Sequence, residues 1–294
     1  MAPTSVHVPG RDGAPLATYR WEPSGPARGV VQIVHGLGEH VRRYDHLANT
    51  LARAGFVVQG HDTRGHGDTI ADGDEPGVIG AEGWQAAIAD IGVLLDRLRA
   101  DVPGVPVVLL GHSMGSFAVQ QYLVQAAADG GEGLDAVVLS GTAAADLMPA
   151  LDSDEPLDLS GFNAPFAPGR TGYEWLSRDA AQVDAYVADP LCGFGYDTAG
   201  AKAVYAGARA AADPDAVRRV RPDLPVYIVV GDQDPVGDDL ASVHALVDRY
   251  RNAGLTGVEL RVYPGARHEV FNETNRDEVE RDLVRWLDGV VPVR

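Results

Sequence analysis

Residues 106–115 read Pro-Val-Val-Leu-Leu-Gly-His-Ser-Met-Gly, an apolar run that ends in a Gly-x-Ser-x-Gly pentapeptide. The run does not alternate polar and apolar residues, which is typical of a strand buried on both faces of a parallel sheet. A helical stretch, residues 115–128, follows at once. A strand that turns this sharply into a helix exposes its central residue, and side chains at Gly111 and Gly115 would collide with neighbouring backbone. The sequence therefore predicts Ser113 as a nucleophile.

Further apolar runs on both sides of this stretch predict the rest of a sheet. They occupy residues 16–21, 29–34, 56–59, 136–139, 225–230 and 258–262, and a weaker run at 6–8 forms a predicted hairpin with the first. Helical stretches between the later strands occupy residues 44–54, 83–100, 239–253 and 277–288. Strands that alternate with helices predict an α/β fold with an eight-stranded, mostly parallel sheet and helices on both faces.

The alternation of strands and helices breaks once, between residues 143 and 222. A structureless loop of roughly 80 residues is improbable in a compact domain, and helical candidates occur at 179–188 and 199–212. We predict a helical cap at residues 143–222, inserted into a body formed by residues 1–142 and 223–294.

Two parts of this predicted cap differ in composition. Residues 146–158 hold five acidic residues and no basic one, so we expect solvated surface there. The middle of the cap is apolar. Phe162, Phe166 and Trp175 are candidates for packing the cap onto the body and for lining an apolar substrate site.

The overall charge excludes several classes of partner. The 294 residues carry 24 Lys and Arg against 42 Asp and Glu, a net charge of −18. Without a basic stripe, we expect no nucleic-acid partner and no electrostatic capture by anionic membranes. The single cysteine, Cys192, cannot form an internal disulfide and is predicted to be a packing residue. No apolar stretch is long enough for a transmembrane helix and the N-terminal residues lack a signal-peptide pattern, so we expect a cytoplasmic protein.

A serine hydroxyl needs a base, and the chain has nine histidines. Where a serine nucleophile lies on a strand–turn–helix of this kind, the chain order is serine, acid, histidine, which leaves His244 and His268. His244 falls in the middle of a predicted helix and reads as a surface residue. His268 lies in the loop that follows the last strand, where a site at the carboxyl ends of strands assembles. We predict His268 as the base.

The acid is expected after the strand at residues 225–230, in the sequence Gly231-Asp232-Gln233-Asp234. We favour Asp234, with Asp232 as a turn former. The developing oxyanion needs two N–H donors. One is the backbone amide of Met114, and the second candidate is the amide of Leu37 in the glycine-rich loop at 35–40.

Together these motifs resemble the monoacylglycerol lipase and lysophospholipase group of α/β-hydrolases, whose sequence family is also labelled serine aminopeptidase S33 or hydrolase-4. The resemblance covers nearly the whole chain. It rests on His-Gly-Leu-Gly-Glu-His at 35–40 with Arg43 and Tyr44, and on residues 62–67, 111–115, 189–191, 263–265 and 268–273. It implies the α/β-hydrolase fold, Leu37 and Met114 as oxyanion donors, and Glu39 and Arg43 at the polar-headgroup end of the pocket.

The activity implied by the resemblance is hydrolysis of carboxylic esters without a cofactor. The implied substrates are small lipid esters, namely monoacylglycerols or lysophospholipids, and the acidic surface favours an uncharged glycerol ester. One departure concerns the headgroup: some animal lipases of the group carry a second histidine three residues after the catalytic one, where this chain has Phe271. The loop at 62–67 is expected to be structural, with Arg64 bridging loops. A metal site at His61 and His66 is not expected.

Two other functions stay open at the level of sequence. The family label allows an aminopeptidase, in which Glu39 would hold the substrate ammonium group. The same fold also serves as non-catalytic ligand receptors.

Overall fold

The computed structural model describes residues 2–131, 133–148, 154–155 and 157–291, and eight strands form one sheet there. The strands are β1 (Thr4–Pro9), β2 (Pro15–Trp21), β3 (Gly29–Val34), β4 (Phe56–His61), β5 (Val107–His112), β6 (Ala136–Ser140), β7 (Val226–Gly231) and β8 (Val258–Tyr263). Their order across the sheet is β1-β2-β4-β3-β5-β6-β7-β8. β2 pairs antiparallel with β1 and β4, and all other neighbours are parallel. The predicted hairpin and the mostly parallel sheet are confirmed.

The central strands have no polar face because the sheet is covered on both sides. In β5, Val107 and Leu109 belong to the core on one side of the sheet, and Val108 and Leu110 belong to the core on the other. All six residues of β5 are buried. Successive side chains of a strand point to opposite faces, so an unbroken apolar run is the pattern that two packed faces require.

Helices supply the two cores. They are α1 (Asp45–Arg53), α2 (Gly80–Asp101), α3 (Met114–Ala128), α4 (Ala180–Ala188), α5 (Thr198–Ala211), α6 (Pro214–Val217), α7 (Ala241–Asn252) and α8 (Arg276–Val290). α1 and α8 contribute to one core, and α2, α3 and α7 contribute to the other. Within the described ranges no helix combines the length and apolarity that crossing a membrane would need. The cytoplasmic location stays a prediction.

Helix α7 starts two residues later than predicted. The three residues before it, Asp238, Asp239 and Leu240, have positive φ values of 51°, 49° and 68°. Left-handed backbone is tolerated by aspartate and is costly for leucine. This backbone cannot belong to a right-handed helix, so α7 begins at Ala241.

The segment between β6 and β7 contains α4, α5, α6 and a 3₁₀ helix, Leu159–Phe166. The two helices predicted in this segment are therefore confirmed. At the start of α4, the Asp179 carboxylate accepts a hydrogen bond from the Ala181 amide at 3.0 Å, which caps the helix. α5 packs against α2 and α3. The division into a body and a cap at 143–222 stays a prediction.

The acidic stretch at 146–158 is only partly described, because residues 149–153 and 156 lie outside the described ranges. Asp154 and Asp158 are exposed, as expected. Asp146 departs from the prediction of solvated surface: its carboxylate pairs with the Arg249 guanidinium at 2.9 Å, and its side chain is only 15% exposed. The ion pair with Arg249 of α7 therefore keeps Asp146 largely buried.

The turn from β5 into α3 has the geometry that the pentapeptide predicts. Ser113 has φ 51° and ψ −123°, between the end of β5 and the start of α3. A Cβ atom built on Gly115 would lie 2.2 Å from the carbonyl oxygen of Val34 and 2.4 Å from that of His35. A Cβ on Gly111 would lie 2.5 Å from the carbonyl oxygen of Gly115. Both glycines are therefore required by backbone approach.

Replacing Gly115 by alanine should destabilise the fold, because the new methyl group would push α3 away from the end of β3. We expect a loss of about 1–3 kcal/mol or more in the free energy of unfolding. The matched control is Gly289→Ala in α8, where a Cβ would meet nothing within 4 Å; alanine there should be neutral or stabilising. Urea unfolding measures both. Equal midpoints for the two variants would contradict the steric argument.

Candidate active site

Ser113, Asp234 and His268 follow β5, β7 and β8, so all three lie at the carboxyl edge of the sheet. His268 Nδ1 lies 2.9 Å from Asp234 Oδ2. Both side chains are buried, at 2% and 4% exposure for the two residues. Ser113 and His268 line the same cavity. The structure thus brings the three residues that sequence order selected to one place.

The environment of His268 suits a base. Burial lowers the pKa of His268, but the Asp234 carboxylate outweighs that effect and the pKa lies above its ordinary value. Because a carboxylate only accepts, the Nδ1 atom carries the proton of the neutral ring and Nε2 keeps its lone pair. Asp234 Oδ1 accepts from the Val236 amide at 2.9 Å, which fixes the carboxylate.

The two rejected candidates occupy structural positions. Asp232 Oδ1 accepts from the Gly265 amide at 2.7 Å and so joins the loops after β7 and β8. His244 is exposed on α7. Asp232 is a turn former and His244 a surface residue, as predicted.

Leu37 lies between two amides that side chains hold in place. The Gly36 N–H donates to Glu39 Oε1 at 2.6 Å, and the Gly38 N–H donates to His66 Nε2 at 3.2 Å. Leu37 and Met114 both line the cavity beside Ser113. Met114 is the first residue of α3, where backbone N–H groups have no partner within the helix. The two predicted oxyanion donors therefore belong to residues that line the same cavity as Ser113, and their role stays a prediction.

His66 has a role that sequence reasoning missed. Burial lowers the pKa of His66 to about 4, so the ring is neutral. Its Nδ1 donates to the Arg64 carbonyl at 2.9 Å, which leaves Nε2 free to accept from the glycine-rich loop. Among the described residues, neither His61 nor His66 belongs to a group of three side chains that could hold a metal. Arg64 bridges Asp12 and Asp90, as expected of this loop.

The cavity at Ser113 contains about 690 Å³ of space free of protein atoms, its open mouth included. Apolar and aromatic side chains dominate its lining: Leu37, Met114, Phe117, Met148, Leu157, Leu159, Phe162, Trp175, Leu176, Tyr186, Tyr196, Val204 and Val236. Polar lining comes from Glu39, His112, Ser113, His268 and Glu269.

The predicted substrate residues divide between this lining and its surroundings. Phe162, Trp175 and Glu39 line the cavity. In the described part of the chain, Arg43 and Phe166 are outside the lining. Phe166 packs instead under the Arg267 guanidinium, whose carbon lies 4.3 Å from the ring centroid.

Arg43 lies behind the cavity, between two carboxylates. Its guanidinium donates to Glu39 Oε2 at 2.9 Å and to both oxygens of Glu269, to Oε2 at 2.8 Å. All three side chains are under one-tenth exposed. Burial raises the pKa of Glu39, but Arg43 and the hydrogen bonds from Tyr44 and Gly36 outweigh it, so the pKa falls below its ordinary value. The cluster joins the loop of Leu37 to the loop of His268.

Cys192 lies beside this cluster and packs against the core. Burial raises the pKa of its thiol, so the thiolate is disfavoured. The prediction of a packing residue is confirmed.

Comparison with known proteins identifies the family. Residues 25–275 match the family described as serine aminopeptidase, S33. The chain belongs to this family. It is 34% identical over 273 residues to a monoacylglycerol lipase of Mycolicibacterium smegmatis, covering 91% of this chain and 90% of that protein. It is 31% identical to a monoglyceride lipase of Mus musculus, covering 91% and 84%.

Solved structures agree. A thermostable carboxyl esterase from Bacillus coagulans superposes with a TM-score of 0.86 at 29% identity, covering 99% of each chain. A soluble variant of the Saccharomyces cerevisiae monoglyceride lipase gives a TM-score of 0.74 at 22% identity, covering 98% and 96%, which supports the fold. The chain is thus a serine carboxylic ester hydrolase with the α/β-hydrolase fold, and the receptor alternative is not supported.

Replacing Arg43 by methionine should destabilise the protein by about 3–5 kcal/mol, because Glu39 and Glu269 would then be buried without a cation. Without the Arg43 charge, burial would raise the pKa of the Glu39 carboxyl above its value in the unfolded chain. The folded variant would therefore bind protons more tightly, and its stability deficit should shrink as the pH falls from 8 to 5.

The matched control is Arg218→Met, which removes an exposed ion pair with Asp215. Surface pairs contribute little, so this variant should unfold like the wild type at both pH values. Chemical denaturation at pH 5 and pH 8 measures all three proteins. A deficit of the Arg43 variant that is independent of pH would argue against unpaired carboxylates.

Proposed function

We propose that this protein hydrolyses monoacylglycerols to a fatty acid and glycerol, with Ser113 as nucleophile, His268 as base and Asp234 as its partner. The observation that carries the proposal is the apolar cavity whose polar end holds Ser113, His268 and Glu39. An acyl chain needs a long apolar surface, and a small polar headgroup needs a few polar groups at one end. The relatives with monoacylglycerol in their names support the same substrate.

The charges at the polar end favour an uncharged headgroup. Glu39, Glu269 and Asp234 bring three carboxylates to this region, and Arg43 is the cation that pairs with two of them. The phosphate of a lysophospholipid would approach these carboxylates at a cost in Coulomb energy. A glycerol ester carries no charge and avoids that cost.

The geometry supports a two-step mechanism. Nε2 of His268 takes the proton of Ser113 Oγ as that oxygen attacks the ester carbonyl, and Asp234 stabilises the imidazolium. The amides of Leu37 and Met114 donate to the oxyanion of the tetrahedral intermediate. His268 then protonates the glycerol oxygen, and the C–O bond breaks to leave an acyl-enzyme. In the second step a water gives a proton to His268 as its oxygen attacks the acyl carbonyl. The bond to Ser113 Oγ then breaks, His268 returns the proton to Oγ, and the fatty acid leaves.

The aminopeptidase alternative would need a carboxylate with a free oxygen to hold the substrate ammonium. Glu39 Oε1 accepts from the Gly36 amide and from the Tyr44 hydroxyl, and Oε2 accepts from Arg43. Both oxygens of Glu39 are therefore engaged, which favours the ester over the peptide.

Initial rates on a headgroup series should show the preference. With the acyl chain fixed as lauroyl, we expect kcat/KM for the monoacylglycerol to exceed that for lysophosphatidylglycerol by about tenfold or more, which corresponds to about 1.4 kcal/mol. Leucine p-nitroanilide should not be turned over. Ser113→Ala is the control for contaminating esterase and should lose hydrolysis of every ester. Turnover of the anilide alone would support the peptidase instead.

The rate should depend on pH through His268. Below its pKa the ring is protonated and cannot accept the serine proton, so kcat/KM should fall toward acid pH, with a midpoint above the ordinary histidine value of about 6.5.

Asp234→Asn should lower kcat by about 10⁴-fold, because the amide no longer selects the required tautomer. An Asp234→Asn enzyme with an unchanged profile and rate would remove Asp234 from the mechanism.

A further inference from the structure

Two aromatic rings pack against the imidazole of His268. The ring centroid of Trp175 lies 4.8 Å from that of His268, with 39° between the planes. The ring of His112 lies at the same distance, with 52° between the planes. His268 is therefore in contact with an indole from the segment between β6 and β7, and that contact has no place in the chemical steps above.

Backbone hydrogen bonds hold Trp175 in this position. The His268 N–H donates to the Trp175 carbonyl at 3.3 Å, and the Glu269 N–H donates to the Leu176 carbonyl at 2.8 Å. The Trp175 N–H donates to Asn163 Oδ1 at 3.0 Å. These bonds tie the histidine loop to residues 175–176, so the indole is fixed relative to the imidazole by main chain as well as by packing.

The position of Trp175 is not explained by a hydrogen bond from its indole N–H. Among the described residues, Trp175 Nε1 is buried and has no hydrogen-bond partner. An unmet buried donor costs free energy, and a phenylalanine at this position would avoid that cost. The feature that tryptophan provides and phenylalanine provides less well is the larger and more electron-rich ring face, which attracts cations most strongly among the aromatic side chains.

We propose that Trp175 is a positioning residue for His268, whose ring face stabilises the imidazolium formed when the base takes the Ser113 proton. The proposal rests on the proposed function, because it assigns Trp175 to the same base. It goes beyond the predictions that Trp175 packs the cap onto the body and lines an apolar substrate site. The attraction is strong here because His268 is only 2% exposed, so little solvent screens the charge on its ring.

The other groups near His268 do not replace this contribution. Asp234 holds Nδ1, and Glu39 and Glu269 favour the charged ring from farther away while they are paired with Arg43. His112 cannot help: burial lowers its pKa to about 4, so it stays neutral. Its Nδ1 lies 3.1 Å from Ser140 Oγ.

The test compares Trp175→Phe and Trp175→Leu with Phe162→Leu as the matched control. Phe162 lines the same cavity and stacks on Trp175 with centroids 5.0 Å apart, but it is not among the rings packed on His268. The substrate is monobutyrin, a soluble monoacylglycerol. For Trp175→Leu we expect the acid limb of kcat/KM to move down by about 0.5–1 pH unit and kcat to fall about 3–10-fold.

Trp175→Phe should fall between the wild type and the leucine variant in both quantities. Phe162→Leu should raise KM and leave the acid limb in place. If the Trp175 variants raise KM alone, with kcat and the acid limb unchanged, the residue only lines the substrate site and the proposal is wrong.

A second readout does not need turnover. The pKa of the His268 ring, followed by NMR of labelled histidine without substrate, should fall in the order tryptophan, phenylalanine, leucine, and should not change in Phe162→Leu. If the wild type and the two Trp175 variants show this order of pKa values but the wild type cleaves no ester, the proposed function is wrong and the proposal for Trp175 stands. Equal pKa values of His268 in all four proteins would overturn the proposal. Thermal unfolding of Trp175→Phe verifies that the variant compared is folded.

Discussion

The rest of the site depends on the close approach of α3 to the end of β3. Gly115 lies so near the carbonyl oxygens of Val34 and His35 that a single methyl group does not fit. This approach brings the start of α3, with Met114, beside the loop that carries Leu37. Ser113 with Met114, and Leu37, which carry the predicted nucleophile and the two predicted donors, therefore come from two points of the chain that one backbone contact holds together.

Buried charge holds the other side of the site. Arg43 connects Glu39, which fixes the Gly36 amide, with Glu269, which follows the histidine directly. Charges out of water are stable only with their partners in place. The loop of Leu37 and the loop of His268 are thus kept in one arrangement by an interaction that has no favourable alternative in the interior.

Local sequence pattern was sufficient for the sheet, most helices and the placement of Ser113, Asp234 and His268 at one edge of the sheet, but not for Arg43 and Phe166, which lie outside the cavity lining. Ser113, Asp234 and His268 could be selected because chain order and strand ends limit the choices to a few residues. The roles of Glu269 and His66 could not be predicted in this way. Glu269 pairs with Arg43, which lies more than two hundred residues earlier in the chain. His66 accepts a hydrogen bond from the backbone amide of Gly38, which belongs to another loop. The start of α7 was misplaced because a left-handed Leu240 is contrary to its intrinsic preference.

The hydrogen bonds between residues 175–176 and 268–269 join part of the predicted cap to the loop that follows β8. Chain connectivity places Trp175 in the segment between β6 and β7, the predicted cap, yet its main chain is hydrogen-bonded to the loop that follows β8. Exchanging the whole segment between β6 and β7 for that of another protein would remove part of the support of His268. A functional chimera would have to keep the residues around Trp175 with the sheet and exchange only the segments on either side.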